Sequence, residues 1–574
     1  MTLIAVAMTV DAAEEVPSAL AAAAREVEAG AALVEWRVDL LAETAEPLPA
    51  LRRLVAESPA PCIVTIRAAA EGGGYRGGDD VRVSILEALA AEHPSPRYVD
   101  VELAAMERSA NLRAKVRLAV THPRQPRDLT TGLILSSHDM ETRPPNLSAR
   151  VAAMVAEPAC AVVKVAWKAR SLRDNLEAFE LLMGRAKPMV ALCMGEWGVP
   201  SRVLARKFGA FFTFARPQGE PGTAPGQPTV EELRRRWRWD RLGPATRLFG
   251  VVGWPVGHSQ SPRLHNAGFD AAGLDALYLP LPVEGSWESF KATVGALVDF
   301  APLDLGGLSV TAPHKEHLVR WVREQGGAVD PVSAACGSAN TLLVERGRAG
   351  AGAVGLRTVN TDAPAAAAAL AEALRGAGGA RGAAGAASAE GAGNPGNAER
   401  ATRRTDGPLH GRRVAIVGAG GAARAVAAGC AEAGAAVVVF NRTPERAEAL
   451  SAQLHGRGAP ERPWHVVAGR PGELGCGCFH ALVNCTTVGM EGGPAPQELP
   501  WEADVPLQDL VVMDTVYRPR ETPLVRFAAS RGARVVDGQA MFLRQAELQF
   551  REFAGRAAPP GLFERVLGDP EGFP

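Results

Sequence analysis

Apolar residues in the first 215 positions gather into eight short runs: LIAVAM, ALVEWRV, PCIVTIR, YVDVEL, GLILSSH, AVVKVAW, PMVALCM and FGAFFTFA. Helical spacing fills the stretches between them. Eight strand-and-helix units in about 200 residues predict a closed (β/α)8 barrel rather than an open sheet. VRLAV at 116–120 is assigned to a helix, not to a ninth strand. The loop PQGEPGTAPGQPT and a charged helix at EELRRRWRW close this half. A new pattern opens at TRLFGVVGWPVGHSQSP, so a boundary is expected near residue 243.

The second half carries strands at LGGLSVT and ANTLLVE, then an alanine-rich helix after Asp362. Residues 376–407 hold few large apolar side chains and many Gly, Ala and Ser, too little to offset the entropy of ordering. A disordered insert that tolerates deletion is expected there. Regular structure resumes at RRVAIVGAGGAARAVAAG, which reads as a strand, a glycine turn and a helix.

Charge narrows the partners. With 62 basic and 63 acidic residues the 574-residue chain is near neutral, so no general field draws it to nucleic acid or to an anionic membrane. The N-terminus shows no basic leader, and no segment approaches the roughly 20 apolar residues of a membrane span. A cytoplasmic protein acting on small molecules is the expectation. The eight cysteines form no CxxC pair, and the spacing of Cys476 and Cys478 does not suit zinc. Reduced structural thiols and no metal are expected.

Lys164 stands inside AVVKVAW, where an isolated ammonium would lose its hydration. Either it snorkels or meets a carboxylate, or it is an amine kept partly neutral to attack a carbonyl. Strand parity favours the second. VEWRVD sets Glu35, Arg37 and Asp39 on one face and Val34, Trp36 and Val38 on the other. If the apolar set faces the helices, the charged set faces the barrel axis. Thr65 with Arg67, Ser136 with His138, and Lys164 follow the same parity, mostly late in their strands. Any one of them could be a structural ion pair, but their convergence on the carboxyl mouth points to a site.

EWRVDL, IRAAAEGG, SSHD, the lysine of AVVKVAW, MGEWGVPSR and TAPGQ, in this order, resemble type I 3-dehydroquinate dehydratase over residues 1 to about 235. The resemblance implies that Lys164 forms a Schiff base with the substrate ketone. His138 would remove a C2 proton and help expel the C1 hydroxyl, with Glu71 orienting it. Glu35, Arg37 and Arg67 would hold ring hydroxyls, and Arg202 would pair with the carboxylate through its planar fork. Gln227 would close over the ring beside Thr223, where the family usually has serine. Ala7 is a second departure, since some relatives carry serine there. Burial among valines and nearby arginines is expected to favour the neutral amine of Lys164.

In VAIVGAGGAA, Gly418 permits a tight turn, Gly420 a close approach of backbone to a pyrophosphate, and Ala423 close helix packing. Ala419, Gly421 and Ala422 complete the turn. The next strand, AAVVVF, ends in NRTPER without the acid that an NAD site usually offers the ribose. Asn441, Arg442, Thr443 and Arg446 instead offer donors to a 2′-phosphate, so NADP is expected.

GHSQSPRLHN, SVTAPHK, GSANTL and VNTDAPA, followed by NCTTVGM, DTVYRPRETPL and GQAMFLRQAE, resemble shikimate dehydrogenase over residues 246 to about 555. Singly, Ser261 and Asp362 also read as helix N-caps. The resemblance implies that Ser259 and Ser261 hold the substrate carboxylate with Tyr517, while Thr311, Asn340 and Gln545 contact ring hydroxyls. Lys315 would act as proton donor at the reacting oxygen, with Asp362 keeping it oriented and charged. The cofactor would lie across the glycine turn, with Asn484 and Thr486 near the nicotinamide, Gly538 among its contacts and Met541 packed on its ring. NTDAP here replaces the usual NTDG.

Together the two resemblances imply consecutive steps of the shikimate pathway, from 3-dehydroquinate through 3-dehydroshikimate to shikimate. The expected fold class is α/β: a TIM barrel over 1–235, a linker over 236–245, and a substrate-binding domain over 246–363 completed by helices at about 538–560. A Rossmann NADP-binding domain is expected over 408–537. Preference of the second half for quinate or NAD, and a non-catalytic sensor, are the alternatives. The oligomeric state is not legible, and channelling does not follow from fusion.

Overall fold

The computed structural model describes residues 2–121, 131–347, 354–375, 407–470, 472–502 and 504–569. Eight strands, β1 Leu3–Thr9, β2 Leu33–Arg37, β3 Cys62–Thr65, β4 Tyr98–Glu102, β5 Gly132–Asp139, β6 Cys160–Lys168, β7 Met189–Met194 and β8 Phe212–Ala215, form one parallel sheet. Its order is β7-β6-β5-β4-β3-β2-β1-β8, and Phe211 N–H donating to Met189 O (2.8 Å) draws the two edges together. The result is a nearly closed barrel. VRLAV lies in the helix Ala110–Thr121, as expected.

Alternation along each strand sorts the side chains. Val34, Trp36 and Val38 pack outward with Val64, Val99 and Val101 in the layer under the helices. Leu33, Ile63, Ile134, Val162, Phe212 and Phe214 fill the barrel interior. The floor is therefore apolar, and the charged positions, one or more pleats later, form the mouth.

The stretch EELRRRWRW departs from the expected helix. Residues 230–236 are helical, widened over Glu232–Arg236, and the helix stops there, with Arg238 in the left-handed region at φ 54°. Trp237 and Trp239 are both buried, and residues two apart cannot share one face of a regular helix. Burying both indoles breaks the helix.

A second sheet holds β9 Arg247–Gly253, β10 Ala276–Pro282, β11 Leu305–Val310, β12 Ala328–Val329, β13 Thr341–Arg346 and β14 Val354–Val359, in the order β10-β9-β11-β13-β14-β12. β9, β10 and β11 run parallel, whereas β13 runs antiparallel to both of its neighbours. The third sheet contains β15 Arg413–Val417 and β16 Ala436–Phe440, followed by a small hairpin of β17 Gly458–Ala459 and β18 Arg462–Pro463 outside it. β19 His465–Ala468, β20 Ala481–Asn484, β21 Val511–Asp514 and β22 Arg534–Val536 complete it. Its order, β19-β16-β15-β20-β21-β22, is all parallel and is that of a doubly wound dinucleotide fold, with the switch point beside β15. The helix Gly538–Ala554 then returns to the second sheet, where Phe550 and Phe553 pack with Phe249 and Phe269.

The glycine- and alanine-rich stretch lies outside the described residues except for Gly407. The expectation of eight reduced cysteines is corrected at one place. Cys476 and Cys478 form a disulfide, because Gly477 at φ 65° folds the chain back and brings their Cα atoms to 5.3 Å. The other six are free and buried. Among the described residues no helix is long and apolar enough to cross a membrane, and no cluster of three or more His, Cys, Asp or Glu is placed to hold a metal.

Candidate active sites

The mouth of the barrel gathers Glu35, Arg37, Arg67, Glu71, His138, Lys164, Arg202, Thr223 and Gln227 around one cavity. Lys164, only 5% exposed, donates to Asp100 Oδ2 (2.8 Å) and Glu35 Oε1 (3.3 Å), and its Nζ lies 4.4 Å from the Phe214 ring centroid. The expected surroundings of valine and arginine were incomplete. Two carboxylates also meet this side chain, so it is an ion-pair partner as well as a residue buried among valines.

Asp100 shares its other oxygen with Arg67 Nη2 (2.8 Å), and Arg67 also pairs with Glu102 (3.2 Å) and donates to Ser136 (2.8 Å). Burial alone would raise the Asp100 carboxyl. Arg67, then Lys164, overcome that and hold it well below the usual range. Burial likewise opposes the Arg67 cation, but Asp100 and Glu102 hold it above its ordinary value.

Glu71 Oε2 accepts from the His138 backbone N–H (2.8 Å) and lies 3.1 Å from its Nδ1. Burial, opposed by Arg67, pushes Glu71 up to about 7. Burial, aided by the cations Arg67 and Lys164, drives His138 well below its ordinary value, so the imidazole is neutral. With Nδ1–H given to Glu71, the lone pair on Nε2 is free. Arg202 is 1% exposed, its Nε and Nη2 have no hydrogen-bond partner among the described residues, and burial pulls it down to about 10. A buried guanidinium in that state is a receptor for an anion. Thr223 and Gln227 bond each other (3.1 Å) in the loop above, while Ala7 lies buried beside Glu35 in register.

The second site lies where the second and third sheets meet. Lys315, at the start of the helix Lys315–Glu324, donates to Asp362 Oδ2 (2.7 Å). Asn340 Nδ2 reaches Thr361 Oγ1 (2.8 Å), Asp362 Oδ1 (3.0 Å) and Gln545 Oε1 (3.4 Å). The N-cap alternative for Asp362 is set aside by its neighbour: Asn360 Oδ1 takes the Ala363 N–H (3.0 Å). Ser261, first in its helix, likewise caps nothing, and its backbone N–H donates to Ser259 Oγ (3.3 Å). Thr311 ends the β11 loop, with its carbonyl accepting from His314 (2.9 Å), and the Tyr517 ring stacks on Phe542 at 4.9 Å.

The glycine turn adjoins Lys315: a Cβ on Gly421 would meet the lysine's Cβ at 3.2 Å. Gly418 sits at φ 119°, open to glycine alone at low cost, and a Cβ on Gly420 would meet nothing within 4 Å, so the turn faces open space. Ala423 is buried at the helix start, with Ala419 and Ala422 beside it at the edge of the core. At the end of β16, Asn441 donates to Thr443 O (2.9 Å), and Arg442 and Arg446 are exposed with no ion-pair partner among the described residues. These fit a 2′-phosphate. Asn484 ends β20. Its amide is occupied by Asp514 (2.9 Å) and Thr486 (2.7 Å), which makes it the holder of the loop that presents Thr486. Gly538 passes so close to Val516 O that a Cβ would lie 2.2 Å away, and Met541 is buried in the same helix.

Comparison with known proteins follows the same division. The family model for type I 3-dehydroquinase matches residues 4–243, that for the shikimate dehydrogenase substrate binding domain 251–342, and that for shikimate / quinate 5-dehydrogenase 399–462. The chloroplastic bifunctional 3-dehydroquinate dehydratase/shikimate dehydrogenase of Arabidopsis thaliana is 32% identical over 542 residues, spanning 94% of this chain and 80% of its own. The chain belongs to this bifunctional family.

As a member of the bifunctional dehydratase/dehydrogenase family it is a lyase in its barrel half and an oxidoreductase in the other. The shikimate dehydrogenase (NADP(+)) of Anaeromyxobacter sp. (strain Fw109-5) is 35% identical over 332 residues, 57% of this chain and 97% of its own. A solved structure of the dehydroquinate dehydratase and shikimate dehydrogenase of S. pombe AroM covers 99% of this chain and 98% of its own at 22% identity, with a TM-score of 0.40.

The sequence reading of this bifunctional chain missed Asp100 and Glu102, although the parity argument used for VEWRVD applies equally to YVDVEL and turns both inward. It also missed Asp514, which accepts from Asn484, Thr522 and the Val516 N–H.

Proposed function

We propose that the barrel dehydrates 3-dehydroquinate through a Schiff base on Lys164, and that the second half reduces the resulting 3-dehydroshikimate to shikimate with NADPH. The observation that carries this reading is the placement of Lys164 and the neutral His138 in one cavity with the unpaired guanidinium of Arg202. A carboxylate on Arg202 would fix the ring between the base and the amine.

Lys164 Nζ gives up a proton to the neutral His138 and adds to the C3 carbonyl; the imidazolium returns that proton as the carbinolamine hydroxyl leaves as water, which forms the iminium and leaves His138 neutral again. Asp100, held anionic, stabilises the positive charge of the iminium. His138 Nε2 then takes the C2 proton, the iminium accepting the electron pair, and the C1 hydroxyl leaves as water with a proton returned from the imidazole. Hydrolysis of the iminium releases product and restores Lys164, so the net change is loss of one water. Glu71 aims the imidazole. Arg37, whose Nε is buried with no partner among the described residues, can meet a ring hydroxyl, as can Glu35 and the remaining donors of Arg67. Thr223 and Gln227 cover the ring.

In the second half Ser259, Ser261 and Tyr517 receive the carboxylate, and Thr311, Asn340 and Gln545 the ring hydroxyls. Lys315 delivers a proton to the ketone oxygen and steadies the charge developing there, while Asp362 keeps the ammonium oriented. NADPH, when bound, supplies the hydride. Gly418, Gly420 and Gly421 leave room for its pyrophosphate, Arg442 and Arg446 supply cations for its 2′-phosphate, and Met541 supplies an apolar wall.

Borohydride added with 3-dehydroquinate should trap a reduced adduct on the peptide bearing Lys164. Unchanged protein mass would refute the covalent route. In steady-state assays of the second half, NADPH is expected to outperform NADH, and equal efficiency would refute the role of Arg442 and Arg446.

A further inference from the structure

The two halves touch through a pair of tryptophans. Trp197, in the turn Glu196–Gly198 after β7, stacks on Trp254, which follows β9, with centroids 5.4 Å apart and planes 6° from parallel. We infer that Trp197 is a positioning residue for the other half's active site: it holds the loop Trp254–Ser261 in the shape that presents Ser259 and Ser261 to the substrate. The inference rests on the proposed assignment of those serines to the carboxylate.

On the barrel side the turn is clamped. Buried Asn175 donates to Trp197 O (2.7 Å) and Leu172 O (2.9 Å) and accepts from Ser201 N (3.0 Å). Ser201 Oγ donates to Gly198 O (2.7 Å) and accepts from Cys193 N (2.8 Å). A Cβ on Gly198 would overlap Cys193 O at 2.4 Å, so the chain cannot relax there. Trp197 is thus an indole on a fixed mount.

On the reductase side Trp254 joins both arms of the substrate site. Its N–H donates to Ala312 O (3.1 Å), between Thr311 and Lys315, and its own chain runs on through exposed Pro255, Gly257 and His258 to the serines. Thr311 N donates to Val252 O (2.9 Å) just before it. Among the described residues the loop between Trp254 and Ser259 has one internal hydrogen bond, Ser259 N–H to Val256 O (3.1 Å), and Glu196 of the barrel lies 3.8 Å from where a Cβ on Gly257 would stand. With so few bonds of its own, that loop takes its orientation from the indole face it rests on.

The test uses the full chain with Trp197→Ala, Trp197→Leu and Trp197→Phe. The KM for 3-dehydroshikimate should rise about three- to tenfold in the Ala and Leu variants, the range an aromatic stack can supply. Reductase kcat and the KM for NADPH should stay within about twofold, and Phe should recover most of the loss. The paired indoles should give an exciton couplet in circular dichroism that disappears in every variant. An unchanged KM in Leu, which keeps apolar bulk if Ala fails to fold, overturns the inference. So does equal damage to kcat and to both KM values, or a wild-type spectrum without the couplet. Failure of the underlying assignment looks different: Ser259→Ala and Ser261→Ala would leave the KM for 3-dehydroshikimate unchanged in an otherwise native chain.

Discussion

Asp100 Oδ2 lies 2.8 Å from Lys164 Nζ, while its other oxygen meets Arg67 at 2.8 Å. One buried carboxylate is therefore shared by two buried cations. Removing its charge leaves Lys164 to Glu35 and Arg67 to Glu102. Asp100→Asn is expected to destabilise the barrel by about 1–3 kcal/mol, the loss of hydrogen bonds to charged partners in a buried network that keeps its other carboxylates. Denaturant midpoints followed through dehydratase activity measure it, and a change under about 1 kcal/mol would mean that the pair is worth no more than one at the surface.

Arg202 predicts the opposite balance between stability and function. Its guanidinium is buried with no partner for Nε and Nη2 among the described residues, so the free protein carries a cost that a substrate carboxylate relieves. Arg202→Met should raise the dehydratase KM about 10- to 100-fold, as loss of a charged hydrogen-bonding partner does. The same variant should be about 1–3 kcal/mol more stable without substrate. Thermal melting of the ligand-free barrel, with steady-state kinetics beside it, checks both halves of the prediction.

Glu71 is pushed up to about 7, and its ionised form is the one that accepts His138 Nδ1–H. Dehydratase kcat/KM should therefore fall as pH drops through about 7, with the slope of one proton, a limb that His138, held well below its ordinary value, does not own. Stability runs the other way. Glu71 binds its proton more tightly folded than unfolded, so its contribution is full at acid pH and lost as pH rises through about 7. Glu71→Gln should abolish the limb and lower kcat about 10- to 100-fold. A pH–rate profile that keeps the limb in the variant would assign it elsewhere.

Much of this was legible in the chain because strand alternation carries it. The eight apolar runs became eight strands, and the parity that turned Glu35 and Arg37 inward in β2 holds for Asp100 and Glu102 in β4. Those two were readable by the same rule and were passed over as strand formers. Other features lay beyond any local pattern. Asn360, rather than Asp362, caps the helix because of how the chain turns before it, and the Trp197 and Trp254 rings meet only because two separately folded sheets bring them together. The helix expected at EELRRRWRW stops short of its end for a nonlocal reason too, since the interior claims both Trp237 and Trp239.

Asp362 and Asn360 divide the labour at that helix start, which makes Asp362 separable from the fold. Asp362→Asn keeps the shape, and the Asn360 cap stays in place. Reductase kcat should fall about 100- to 1,000-fold as Lys315 loses its carboxylate partner, while the KM for NADPH and the melting behaviour change little. A comparable loss of stability would make Asp362 a structural residue.

The most direct measurement follows a single incubation of the purified chain with 3-dehydroquinate and NADPH, recording nucleotide absorbance and shikimate together. One NADPH consumed and one shikimate formed per 3-dehydroquinate is the predicted result. Constant absorbance, or 3-dehydroshikimate accumulating with NADPH untouched, would contradict the account.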